Sequence, residues 1–420
     1  MLDKNLFLYD LAVAAIFKDE GHYLKEWLDY HLLAGVEHFY LYNNDSSDDF
    51  REVLAPYVEE NLVTLIDFPG RVMQLPAYND ALEKFRFECR YLAFIDLDEF
   101  IFPRSNRSVV EILDEVFLSA DPNSAGLAIN WQFFGSNGLE KADYSRGVLE
   151  RFTRRAPRDW IIDLPDHKGN RSVKSIVNPR RVDYLWNPHF AIYFPPFHAV
   201  NENGAMVKEF LNDPVTVDKI ALNHYFTKSF EEHLAKIKRG RSDIIAKRPQ
   251  DDFKSHDYND EFDDSILKYR AARAKNFSFE SDGHRINRVV NSVLQTLTKN
   301  FSAESLEGEL ETFLACRDLA EKFQLKIGEQ YAEELALAWI YQFFNQFFNH
   351  SRTLNLFEFQ LFLNALPKIL TRPFPVRKEI LQVILEKILP FICEKSKLQF
   401  DIKAFVDYKR LRRLLSLIQM

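Results

Sequence analysis

Cysteine is scarce. Three residues in 420, Cys89, Cys316 and Cys393, are odd in number and far apart. That excludes a disulfide framework and a thiolate zinc site, and it suits a reducing compartment. Long apolar runs are also missing: none reaches the roughly 18 residues that span a bilayer. Met1 to Asn5 carries no basic stretch leading into an apolar one. The expectation is a cytoplasmic protein, with peripheral contact at the inner membrane as the remaining membrane option. There is no excess of positive charge. Lys and Arg number 54 against 62 Asp and Glu, a net charge of -8. No nucleic-acid partner is expected, and any phosphate site must be local.

What is present reads as two domains, because 420 residues exceed one ordinary core. Hydrophobic residues at 46% and charged residues at 28% exclude wholesale disorder. The first hundred residues alternate between two periods. Ala12 to Phe17, His38 to Tyr42, Val63 to Phe68 and Tyr91 to Ile95 are short apolar runs that read as buried strands. Tyr23 to Ala34, Phe50 to Val58 and Ala77 to Cys89 repeat apolar residues at helical spacing. Strands separated by single helices predict βαβ units and a mostly parallel sheet. A further strand is expected over 126–135, and a helix from Phe230. Residues 249–264 are polar and acidic and read as a loop or linker. Beyond about 285 the pattern is helical. The expected architecture is an α/β domain over 1–280 and an all-α domain over 285–420. Many of the 38 Phe residues lie in the latter, where they suit packing on the first domain or on a partner protein.

In parallel sheets ligands bind beyond the carboxyl ends of the strands. Three of those ends are polar: Lys18-Asp19-Glu20, the run Asn43 to Asp49, and Asp96-Leu97-Asp98-Glu99. Two carboxylates one residue apart after a buried strand can share a hard divalent cation, Mg2+ or Mn2+. His224, in Asn223-His224-Tyr225, reads as a further metal ligand or as a packed histidine, and His189 has the same two readings. Lys236, Lys238, Arg239 and Arg241 suit phosphate oxygens or a solvated helix face. Lys174 lies inside an apolar strand. Its ammonium needs an anion there, a diphosphate being one, unless an edge strand turns it to water.

Taken together, three stretches resemble glycosyltransferase family 92 and its relatives near family 2: Ile16-Phe17-Lys18-Asp19-Glu20, Tyr23-Leu24 through Tyr30-His31, and Gly35-Val36 through Asn43-Asn44. So do Phe94 to Phe100, Asn130-Trp131 through Gly135-Ser136, and Asn223 to Ser229. The resemblance covers roughly residues 10 to 245. It implies a GT-A fold, a nucleotide-sugar donor (a UDP-sugar favoured), a glycan or glycolipid acceptor, and inversion at the anomeric carbon. It implies Glu20, Asn44 and Asp48 around base and ribose. Asp96 and Asp98 would serve metal and diphosphate, with His224 as a further ligand, and Trp131 and Gly135 the acceptor side. Lys18, Lys174, Lys228 and Arg239 complete the donor-binding set. Asp19 departs from the pattern, which has Asn there.

Inversion needs a general base on the acceptor hydroxyl. Asp166 and Asp243 are the candidates, with Asp163 as a third. A sugar-phosphate nucleotidyltransferase would use carboxylates and metal too. It would want a Gly-rich phosphate loop, and Ile16 to Tyr23 offers only Gly21. A non-catalytic glycan-binding relative would not need Asp96, Asp98 and Glu99 together.

Overall fold

The computed structural model describes residues 6–163, 168–245, 252–275 and 282–297. All of them lie in the first of two compact units into which the chain divides. Asp166 and the expected helical domain, apart from the helix Asp282–Leu297, lie outside the described residues.

The first hundred residues form β1 (Tyr9–Phe17), α1 (Gly21–Ala34), β2 (His38–Asn43), α2 (Phe50–Glu59), β3 (Val63–Asp67), α3 (Gln74–Phe85) and β4 (Cys89–Phe94). These are the expected elements in the expected order. β2 and β4 are buried at every position, and β1 at all but Asp10, as strands covered on both faces must be. α1 stops at Gly35, whose φ of 101° only glycine adopts freely and whose N–H donates to Leu32 O. α3 starts ahead of its apolar stripe, because Pro76 is tolerated in a first turn. It ends at Phe85, ahead of the expected Cys89, because Cys89 pairs with Tyr9 as the first residue of β4.

The chain continues as β5 (Glu99–Pro103), α4 (Val109–Ser119), β6 (Ser124–Phe133), α5 (Val148–Arg151), β7 (Arg154–Arg155), β8 (Val173–Val177), β9 (Val182–Asn187), β10 (Phe190–Tyr193), β11 (His198–Val200), β12 (Met206–Val207) and β13 (Ile220–His224). Then come α6 (Phe230–Arg239), α7 (Asp252–His256), β14 (Glu261–Phe262), α8 (Ser265–Lys275) and α9 (Asp282–Leu297). The main sheet runs β12-β11-β6-β8-β4-β1-β2-β3. The β4-β1-β2-β3 half is wholly parallel. β8 lies antiparallel between β4 and β6, while β13 runs parallel to β6 and antiparallel to β5. Phe17 is level with Asn43, and Ala14 with Phe94. The three polar strand ends therefore open on one edge of the sheet, as the pattern requires. No helix among the described residues is long and apolar enough to cross a membrane.

The acidic stretch expected as a linker is, from Asp252 on, part of this body. α7 and β14 fall within it, and β14 pairs with β7. Asp257 accepts from the N–H (2.6 Å) and hydroxyl (3.0 Å) of Ser136, and Asp263 accepts from Arg155 Nε at 3.0 Å. These two carboxylates serve partners more than a hundred residues away, where composition alone reads solvent-facing charge.

One buried ion pair ties α1, α5 and α6 together. Arg151 donates twice to Glu232, at 2.7 and 2.9 Å, and Tyr23 OH adds a bond of 2.8 Å. Ser229 and Glu232 also form the capping box of α6. Burial pushes the Glu232 carboxyl up, but the bonds from Arg151 and Ser229 prevail and hold it at about 2, against an ordinary 4.5. A depressed carboxylate adds stability above its unfolded value and loses it as pH falls through the folded one. We expect Arg151→Met to cost about 3–5 kcal/mol in urea unfolding near neutral pH, since one charge is left buried alone. The deficit should shrink as pH falls from 4.5 toward 2. A deficit that stays constant across that window would exclude the pair as its source.

Candidate active site

β4 runs out at Phe94 into a tight turn that starts β5. Asp96 N–H donates to Glu99 Oε2 at 2.8 Å, and Glu99 N–H donates back to Asp96 O at 3.1 Å. Ile95 and Leu97 are buried in the core and anchor the turn. Asp96 accepts from Gln74 Nε2 (2.6 Å) and Tyr78 OH (2.9 Å) on α3, and from Lys174 Nζ (2.9 Å) on β8. Asp98 accepts from Lys236 Nζ on α6 at 2.5 Å, and its Oδ1 lies 3.5 Å from His224 Nε2 at the end of β13. Glu99 accepts from Trp131 Nε1 at 2.7 Å and has Lys174 Nζ at 3.7 Å.

Lys174 is 1% exposed. It faces neither water nor an edge, because β8 is an interior strand. Its anion is within the protein. Burial depresses the ammonium, but Asp96 and Glu99 prevail and hold it above its ordinary value. Burial likewise raises the Asp98 carboxyl, yet Lys236 and His224 prevail and hold it well below the usual carboxylate range. Glu99 goes the other way. Burial raises it, Lys174 opposes, and Asp96 and Asp98 add to the rise. His224 is lowered by burial against the pull of Asp98. Its ring is packed against Trp131 and Phe133 at 4.5 and 4.8 Å, and its Nδ1 has no hydrogen-bond partner among the described residues. His189 is pushed down to about 4, chiefly by burial, and accepts or donates at Nδ1 with Val173 O at 3.0 Å.

A cavity of about 770 Å³ opens over this turn. Asp96, Asp98, Lys174 and His224 line it together with Lys18, Glu20, Asn44, Trp131, Arg239 and Asp243. Glu20 is held by Arg239 (2.9 Å), and Asn44 donates to the carbonyls of Phe68 and Gly70, each at 3.0 Å. Asp243 is paired with Arg241, at 2.5 and 2.9 Å. Four expected site residues stand elsewhere. Lys228 lines an adjoining pocket. Asp48 accepts from the Gly21 N–H at 2.7 Å, at the start of α1. Gly135 packs on the 257–259 segment, where a Cβ would lie 2.3 Å from Tyr258 O. Asp163 is exposed and bonded to Lys168. Asp19, where the pattern has Asn, holds φ 48°, a left-handed conformation both residues tolerate. Its Oδ1 accepts the Ser47 N–H at 2.7 Å, as an amide oxygen would.

Three lining or contacting residues escaped sequence reasoning. Gln74 and Tyr78 are one helical turn apart on α3, a spacing that marks a shared face but names no partner. Trp186 on β9 is 56% exposed on the wall of the cavity. The only signal for it was an unexplained Trp in a mixed, Pro-rich stretch.

Comparison with known proteins gives a family. The description "Glycosyltransferase family 92" matches residues 11–253. A family 92 protein of Ricinus communis is 28% identical over 183 residues, covering 42% of this chain and 29% of its own length. One from Oryza sativa subsp. japonica is 28% identical over 174 residues, 40% of this chain and 29% of that one. The galactan beta-1,4-galactosyltransferase GALS2 of Arabidopsis thaliana is 31% identical over 100 residues, 21% of this chain and 19% of its own. The chain thus spans less than a third of the length of these relatives. Among solved structures, S. aureus TarS 1-349 in complex with UDP is 12% identical, covers 82% of this chain and 93% of its own, and has a TM-score of 0.28, too low to carry an argument. The family match extends over more than half of the sequence and contains the whole of the Asp96–Asp98 turn, Lys174 and His224, and by that match the chain belongs to glycosyltransferase family 92.

Proposed function

We propose that the protein transfers a sugar from a nucleotide-sugar donor to a glycan acceptor, with inversion at the anomeric carbon, in the cavity above the Asp96–Asp98 turn. One observation carries the reading: the stretch matched to the family is the stretch that gathers Asp96, Asp98, Lys174 and His224 around one cavity at the carboxyl ends of a parallel half-sheet. We read the fold as GT-A on the same grounds. Lys18, Glu20, Asn44, Asp96 and Arg239 line the donor's share of the cavity.

A divalent ion, Mn2+ or Mg2+, belongs to this reading. Asp98 and His224 would hold it, one oxygen and one imidazole nitrogen from a ring whose Nδ1 is buried and unbonded. Among the described residues no three His, Cys, Asp or Glu side chains converge as a metal shell. Two protein ligands with phosphate oxygens and water completing the shell is a usual arrangement for such ions. Bound there, the ion would neutralise the departing diphosphate. Asp96, already bonded to Gln74, Tyr78 and Lys174, orients the turn. Asp243 is the base we assign to the acceptor hydroxyl, with Arg241 fixing its carboxylate.

The exposed indole of Trp186 is a platform for an acceptor sugar ring, whose C–H face packs on an aromatic surface. Its hairpin is fixed beforehand. Leu185 exchanges bonds of 2.8 and 3.1 Å with Asn79 on α3, and Ser175 donates to His189 O at 2.9 Å.

Asp98→Asn should lower UDP-galactose turnover in manganese by about 100-fold or more while the protein stays folded. UDP-galactose is the probe because two relatives are named galactan galactosyltransferases. Wild-type turnover in that variant would sink the assignment. Trp186→Ala should raise KM for β-1,4-galactan oligosaccharides about fivefold and leave donor hydrolysis unchanged. An unchanged acceptor KM would remove the platform.

A further inference from the structure

A second cavity, of about 390 Å³, lies beside the first. The end of β1, the first turn of α1 and the loop into α6 wall it. Its acids are already engaged. Glu232 belongs to Arg151 and Tyr23, Glu20 to Arg239, and Asp19 to the Ser47 N–H. Lys236 is engaged with Asp98.

Lys228 is different. It is 4% exposed, yet among the described residues its ammonium meets no carboxylate or carbonyl, only the face of the Tyr23 ring at 4.5 Å. Asp98 acts on it only at longer range, and burying an ammonium with no anion in contact is unfavourable. Its backbone stands at φ 52°, the left-handed region that a Lys adopts only at a cost. Next to it Thr227 Oγ1 is buried with no hydrogen-bond partner among the described residues. Lys18 and Lys238 line the same wall, and neither has an ion pair among the described residues. One orphan hydroxyl, one ammonium with no acceptor in contact and two further lysines thus line one small space. His22 lines the same space, and burial and then Lys228 lower its imidazole against the pull of Glu232 and Asp48.

We propose that this cavity binds a phosphoryl group, with Lys228 Nζ and the Thr227 hydroxyl as buried donors and Lys18 and Lys238 as rim charges. A phosphate has the acceptors that both orphans lack, and charge-assisted bonds to it are the strong ones. The source we commit to is a phosphate carried by the acceptor, an identification that rests on the proposed transfer; the donor's diphosphate belongs to the larger cavity, and Lys236 and Arg239 line both. The site does not depend on the larger cavity being a transferase centre.

Calorimetric titration of the full chain with inorganic phosphate and with UDP at low salt tests it. Lys228→Asn removes the ammonium and keeps a residue that tolerates the left-handed backbone. Phosphate should bind the wild type and bind this variant about tenfold more weakly or worse. Thr227→Val, nearly isosteric, should weaken phosphate about threefold and gives a second readout should the first variant fail to fold. UDP affinity unchanged while phosphate binding falls supports an acceptor phosphate, and UDP affinity falling in parallel returns these residues to the donor site and overturns a separate one. Equal phosphate affinity in wild type and variants, or no saturable phosphate binding, overturns the site.

Discussion

The site depends on one buried ammonium. Lys174 sits on an interior strand, bonded on both sides to its neighbours, and cannot reach water. An unpaired charge in that position would be prohibitive, so the anions must come to it. Asp96 and Glu99 do, and the consequences spread from there. Glu99 in turn accepts the Asp96 N–H and the Trp131 indole N–H, so the turn and one wall of the cavity are fixed by the same carboxylate. Asp98 lies between these two acids in sequence. Its position is settled before Lys236 or His224 contributes anything.

Charge then sorts the surroundings. The chain as a whole is acidic, at -8, but the mouth of the site is not. Asp98 stays ionised far into acid because Lys236 and His224 outweigh its burial, whereas Glu99 is drawn toward its neutral form by burial and by two neighbouring carboxylates. Lys18, Arg71 and Arg239 line the same cavity as Asp98. A phosphorylated ligand entering this field would meet cations placed by the fold, the local positive site an acidic chain needs to hold one.

The parallel half of the sheet was legible in the sequence because its signals are local. Short β-branched and aromatic runs alternate with helical stripes, and Asp96-Leu97-Asp98 follows one of those runs directly. What escaped was every relation between distant residues. Lys174 advertised its need for an anion but not that Asp96, 78 positions away, would supply it. Gln74 and Tyr78 looked like ordinary helix residues until α3 was laid beside the turn. The acids from Asp252 to Asp264 read as solvated because a local partner such as Lys268, on Asp264, marks only a surface pair, yet Asp263 serves Arg155 and Asp257 serves Ser136. Gly135 reads as a place for a ligand to approach. The backbone of Tyr258 makes that approach instead.

The two cavities share more than a wall. His224 ends β13, Thr227 and Lys228 follow within four residues, and Ser229 caps the helix that carries Lys236. One short stretch therefore supplies the imidazole of one cavity and the orphan donors of the other. The rotation of α6 about its axis decides whether Lys236 reaches Asp98. That rotation is set where Glu232 is clamped by Arg151 and closes the capping box with Ser229, one turn before Lys236. A buried ion pair that reads as scaffold thus places a cation on Asp98. Loosening it would disturb the site through register, without touching any residue that lines the larger cavity.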